Sequence, residues 1–136
     1  MKRPFAALAL TALVALTSAG AALAHHSFAM YDGTKVVTLK GAVKSFQWTN
    51  PHVIVWLMGA PAAGGAAQIW TIELTSPGNL TRIGWTRKSL NTGDEVEVQI
   101  NPLRNGQPGG SFKTAKLLAT GQVLTANWVP PSAAKP

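Results

Sequence analysis

Residues 95–100 carry the pattern that most constrains this chain. Glu95, Glu97 and Gln99 alternate with Val96, Val98 and Ile100, so an extended strand puts three polar groups on one face and three branched apolar groups on the other. The same period of two recurs upstream. Val37, Leu39, Gly41 and Val43 oppose Lys40 and Lys44, and Trp70, Ile72 and Leu74 oppose Thr71 and Glu73. His52 to Met58 holds apolar side chains on both faces, as a central or covered strand does. Phe112 to Leu118 reads as a fifth strand, and Gly121 to Leu124 either extends it past a bend or forms a sixth. Turn-forming residues separate these runs at Thr49-Asn50-Pro51, Gly59 to Ala67, Asn91-Thr92-Gly93-Asp94, Asn105-Gly106 and Pro108-Gly109-Gly110.

Two departures from the alternation carry information. Phe46 and Trp48 fall on the lysine side of the first strand, which predicts a bulge near Gly41 or Ser45 that re-aims the aromatics. Thr75-Ser76-Pro77 ends the third strand. Ser76 is placed to cap a helix starting at Pro77, with Leu80, Ile83 and Trp85 on its buried side and Gly84 limiting it to one or two turns. Three strands, a short helix and two or three more strands is the order of a small OB-like barrel, five- or six-stranded and all-β apart from that helix. Closure would remove the exposed edges that an open β-sandwich, the alternative, would keep.

The first residues predict export. Lys2 and Arg3 precede an apolar run from Phe5 to Leu16, and Ala22-Leu23-Ala24 supplies the small residues of a signal-peptidase site. The expected organisation is a cleaved signal peptide at 1–24, an N-terminal segment at 25–34, the barrel at 35–126 and a tail at 127–136. An uncleaved N-terminal anchor is the competing reading. Cleavage would leave 112 of the 136 residues, enough for one domain with a modest core. The absence of cysteine rules out disulfides and thiolate metal sites. Loss of Lys2 and Arg3 lowers the formal charge from +7 to +5, a field that draws anionic partners without choosing among them.

Several unusual words occur in sequence: His25-His26-Ser27-Phe28, then Phe46-Gln47-Trp48-Thr49-Asn50-Pro51-His52, Gly84-Trp85-Thr86-Arg87, Gly93-Asp94 and Pro108-Gly109-Gly110. On these the chain resembles, over essentially the whole segment after the signal peptide, a family of small secreted bacterial proteins defined only as a domain of unknown function. The resemblance implies export and a small β-rich domain. It implies no activity and no ligand.

Cleavage after Ala24 would make His25 the first residue, placing a primary amine, two imidazoles and the first backbone amides within three residues. Cu(II) favours such nitrogen donors in a tetragonal plane. In one geometry the amine and ring of His25 chelate the ion and His52 adds a third nitrogen. In the other, the His25 amine, the His26 amide and the His26 ring form the chelate, and a further imidazole fills the plane. His52, fixed after Asn50-Pro51, is the expected third ligand. Met30 could add an axial sulfur, and Asp32 a carboxylate or a hydrogen bond that orients a ring. Zn(II) is the second metal, since three nitrogens and a water would suit it. Carriage or sensing asks least of so small a domain. Against this stands a plain reading: a polar terminus, and a His52 that hydrogen-bonds the backbone beside Pro51.

The runner-up is a binding surface without metal. Five tryptophans are many for this length, and although most belong in a core, Trp48 or Trp85 could offer a flat platform. Arg87 and Lys88, with Lys40, Lys44, Arg82 and Arg104, would rim it. An anionic glycan, an envelope component or a partner protein suits the expected compartment, the periplasm or exterior, better than nucleic acid does. Hydrolysis finds little support, because no Ser sits in a nucleophile elbow and Glu95 and Glu97 fit a solvated strand face.

Overall fold

A computed structural model describes residues 29–126 of the chain. The expected signal peptide, His25, His26 and the tail at 127–136 with Trp128 lie outside the described residues. The chain divides into two compact units, Met1–Met30 and Tyr31–Pro136, and the barrel belongs to the second.

The element order is β1 (Val37–Gln47), β2 (Ile54–Pro61), β3 (Gln68–Glu73), α1 (Pro77–Arg82), β4 (Glu95–Pro102), β5 (Gly109–Leu117) and β6 (Val123–Thr125). The strands are hydrogen-bonded in the order β3-β2-β1-β4-β5-β6, and β3 also pairs in parallel with the start of β5. That extra pairing, Thr71 with Gly109, Ile72 with Gly110 and Glu73 with Ser111, closes the sheet into a barrel and excludes the open sandwich. Gly121 to Leu124 resolves into a turn followed by the short sixth strand, which pairs with the second half of β5.

Glycine makes the closure possible. A Cβ on Gly110 would lie 2.5 Å from the Asn101 carbonyl oxygen and 2.7 Å from Ile100 Cδ1. A Cβ on Gly109 would meet Leu103 Cδ1 at 2.9 Å and the Thr71 carbonyl oxygen at 3.0 Å. Only a residue without a side chain lets β5 reach β3 and β4 together. For this reason β5 starts at Gly109, three residues before the Phe112 start expected from the alternation.

The core forms where the period predicts it. Val96, Val98 and Ile100 of β4, Leu39 and Val43 of β1, Val55 and Leu57 of β2, and Ile72 of β3 are buried. Each such side chain contributes on the order of 1.5–3 kcal/mol relative to full exposure. The register of β1 against β2 shifts between Val43 and Ser45, the expected bulge, and beyond it Phe46 and Trp48 pack against the core. Ser76 Oγ accepts the Asn79 amide at 3.3 Å and caps α1, and Leu80 beneath it is fully buried. Gly84, at φ 93°, takes the left-handed conformation that turns the chain out of the helix.

The segment before β1 is tied across the end of β4. Tyr31 forms a bridge with Leu103, the Asp32 amide donates to the Pro102 carbonyl at 2.8 Å, and Asn101 Nδ2 donates to the Lys35 carbonyl at 2.6 Å.

Candidate functional site

Glu73 ends β3 at the closing seam, with Ile54 of β2 opposite it on one side and Ser111 of β5 on the other. Its neighbours Ile72 and Leu74 point into the core, so the strand alternation turns the Glu73 carboxylate outward. His52 lies two residues before Ile54 and shares its face, a diagonal position from which a long side chain reaches the partner strand. His52 Nδ1 stands 2.7 Å from Glu73 Oε1. The Tyr31 hydroxyl donates to the other oxygen, Oε2, at 2.6 Å. One carboxylate therefore joins a residue of the N-terminal segment to the residue following the Asn50-Pro51 corner.

The cluster is half-open to solvent. The side chains of His52 and Glu73 retain 41% and 26% of their exposure. Burial, reinforced by the hydrogen bond to Glu73 and by its charge, holds the Tyr31 phenol well above the ordinary tyrosine range, so it remains a donor. The Glu73 carboxyl group has a polar partner at each oxygen, His52 Nδ1 at Oε1 and the Tyr31 hydroxyl at Oε2, which makes it an orienting group.

The other expected metal residues are placed as follows. Met30 is exposed, and Asp32 serves a different purpose. The Asp32 carboxylate accepts the Thr34 hydroxyl at 2.6 Å and the Thr34 amide at 3.1 Å, and lies 3.4 Å from Lys35 Nζ and 4.0 Å from Arg104 Nη1. The Thr34 hydroxyl above all, then its amide, with help from Lys35 and Arg104, holds the Asp32 carboxyl below the usual range. Asp32 thus fixes the turn into β1. Among the described residues no group of three or more His, Cys, Asp or Glu side chains gathers as an ion site would require.

Of the residues expected on a ligand surface, Arg87 and Trp48 are in contact. Arg87 Nη1 donates to the Trp48 carbonyl at 3.3 Å, and Thr92 Oγ1 donates to the Lys44 carbonyl at 3.3 Å, pinning the loop after α1 to the end of β1. Trp48 is half-buried with its ring edge-on to Phe46 at 5.7 Å, while Arg87 and Lys88 are exposed. Trp85 must be removed from this surface. It is 3% exposed, packs edge-on against Phe112 at 5.4 Å, and gives its Nε1 hydrogen to the Thr125 carbonyl at 2.8 Å. A buried indole whose polar atom is paired with the backbone of β6 is a core group.

Sequence reasoning missed Glu73 and Tyr31 as site residues. Glu73 reads as strand surface, because its outward parity is the one that Glu95 and Glu97 share. Tyr31 is the single tyrosine of the chain, and its pairing with a residue 42 positions away has no local signature.

Residues 12–116 match the model of a family of unknown function, DUF6152. The chain belongs to that family. The match runs from within the apolar N-terminal run to the end of β5 and so takes in the Asn50-Pro51-His52 corner, the pinned loop and the closing glycines. No curated protein and no solved structure matches the chain. Among the described residues no helix is long and apolar enough to cross a membrane.

Proposed function

We propose that the protein is exported and acts as a small binding module of the OB-like kind, taking an anionic glycan or another anionic envelope component at the corner formed by Trp48, Arg87 and Lys88. The observation that supports this reading is the Arg87–Trp48 hydrogen bond, which spans 39 positions and holds a guanidinium at the backbone carbonyl of a half-buried tryptophan. Flat aromatic surface stacks on sugar rings, adjacent guanidinium and ammonium groups attract carboxylate or sulfate, and a net positive chain raises the local concentration of such polymers. The likeness of architecture is a weak warrant for function by itself, so the weight rests on the pinned corner.

The test is binding to dextran sulfate and polygalacturonate across a salt series. Affinity should fall steeply with ionic strength and drop about tenfold or more in Arg87→Glu and Lys88→Glu, with unchanged circular dichroism. Salt-independent affinity, or affinity indifferent to both charge reversals, overturns the proposal.

Copper carriage or sensing is a second reading, favoured by a separate observation: His52 is held through one ring nitrogen by a carboxylate, the usual companion of a metal-bound histidine. Signal-peptide cleavage would add the amine and ring of His25 and the His26 amide and ring as nitrogen donors, with Met30 as a soft sulfur and Zn(II) as the alternative ion.

A further inference from the structure

The two ends of the barrel are finished differently. α1 joins the end of β3 to the start of β4 and buries Leu80 there. At the other end, where β1 starts and the chain turns from β2 into β3, a recess of about 470 Å³ stands open. Val37 and the buried Trp70, both packed into the core, form its floor. Val36 and Thr38 line one side, and Pro61, Ala62 and Ala63 the other. None of these side chains is ionisable. The polar atoms of the recess are largely engaged within the protein: Trp70 Nε1 donates to the Gly59 carbonyl at 3.1 Å, and the Ala62 amide to the Thr38 carbonyl at 2.8 Å. What the recess offers is therefore apolar surface. The turn beside it is unusual in the same way. Residues 59–67 carry no polar side chain, residues 62–67 are exposed, and Val36 across from them is 53% exposed. Surface turns are ordinarily polar, and exposed apolar groups gathered at one place mark a binding surface.

We propose that this mouth of the barrel binds a fatty-acid anion, its single alkyl chain over Val37 and Trp70 and its carboxylate toward Lys35. Apolar recesses of this size in the mouths of β-barrels are common small-molecule sites. The volume selects one chain. Water takes about 30 Å³ and a methylene group is close to it in size, so 470 Å³ holds about 15 such groups, enough for a chain of about a dozen carbons and too few for the two chains of a diacyl lipid. The charge at the rim selects the head group. Lys35 immediately precedes Val36, and Lys35 Nζ and Arg104 Nη1 lie 3.4 Å and 4.0 Å from the one carboxylate of Asp32. Both cations are exposed, and two cations around one carboxylate leave this rim net positive. An apolar floor with a cationic edge complements an amphiphile with an anionic head. The site shares no residue with the Trp48–Arg87 corner or with the cluster around Glu73, so it stands independently of both readings above.

The experiment titrates the exported protein with laurate below its micelle concentration, reading affinity and stoichiometry by calorimetry and the site by carbon-13 methyl resonances. One laurate should bind per chain, and the methyl signals of Val36, Val37, Ala62 and Ala63 should shift together, a result that needs no variant. Dodecanol, with the same chain and no charge, should bind more weakly, and butyrate should not bind. Ala62→Trp, at an exposed position, should weaken laurate by about tenfold or more by taking the chain's place on the floor. Lys35→Glu should remove the preference for laurate over dodecanol. Arg87→Glu should leave laurate binding unchanged, which separates this site from the glycan corner. Circular dichroism checks each variant, and the methyl shifts of the unaltered protein carry the test if one fails to fold. No saturable binding, shifts confined to other methyl groups, or equal affinity in Ala62→Trp overturns the proposal. Binding to phosphatidylglycerol vesicles without binding to free laurate also overturns it, in favour of a membrane surface as the occupant.

Discussion

Tyr31→Phe isolates the bond between the N-terminal segment and the closing seam. The substitution keeps the ring and removes only the hydroxyl that donates to Glu73 Oε2 at 2.6 Å. Hydrogen bonds to charged groups contribute about 1.5–3 kcal/mol, but two features lower the figure here. Glu73 keeps His52 as a partner, and with 26% of its side chain exposed it can take water on the vacated oxygen. The expected loss is therefore about 1 kcal/mol, which for a domain of this size lowers Tm by about 4–8 °C. The same bond has a spectroscopic reporter, because Tyr31 is the single tyrosine and tyrosinate absorbance reads it alone. An acid whose pKa is raised in the fold stabilises the protein below its unfolded value, about 10, and that contribution fades as pH rises beyond it. The phenol should thus stay protonated through the ordinary tyrosine range in the folded protein, and Glu73→Gln should bring its midpoint down. A Tm unchanged by Tyr31→Phe, together with ordinary ionisation in the folded state, would refute the reasoning.

Three further outcomes are expected. Gly110→Ala should destabilise by about 3 kcal/mol or prevent folding, because its Cβ would press on the Asn101 backbone, whereas Gly109→Ala, facing the end of the Leu103 side chain and a more distant carbonyl, should cost less; denaturant midpoints compare the two. Leu57→Ala, at a fully buried position, should cost about 2–5 kcal/mol without changing the strand content measured by circular dichroism. Asp32 has a lowered folded pKa, so its contribution is present above its unfolded value near 3.9 and lost as pH falls through the lower folded value. Its carboxyl carbon shift should titrate below about 3.9, and Thr34→Val should move the midpoint upward.

Much of the barrel can be read locally. Val96, Val98 and Ile100 announce their burial through period two, and Ser76-Pro77 announces the helix through capping. Phe46 and Trp48, standing on the wrong parity, announce the bulge between Val43 and Ser45. The placement of Trp85 could not be read this way. Helical spacing puts it on a buried side, and its size and indole nitrogen equally suit an open platform. Packing against Phe112 of β5 and the bond to the Thr125 carbonyl of β6, 40 positions away, decide for the core. The site was legible in one residue of three. His52 stands out because histidine is rare here and follows Asn50-Pro51, while Glu73 carries the same local signal as Glu95 and Glu97.

By itself the sequence determined the strands, the capped helix, the lack of any thiol chemistry and the excess of positive charge, since each follows from side-chain period, backbone preference or a count of residue types. The tertiary structure alone decided that β3 meets β5, that Gly109 and Gly110 are the residues allowing it, and that Tyr31, Glu73 and His52 share one carboxylate. Those facts depend on register between segments far apart in the chain. Register is set by the collective packing of the core, and no short stretch of residues encodes it.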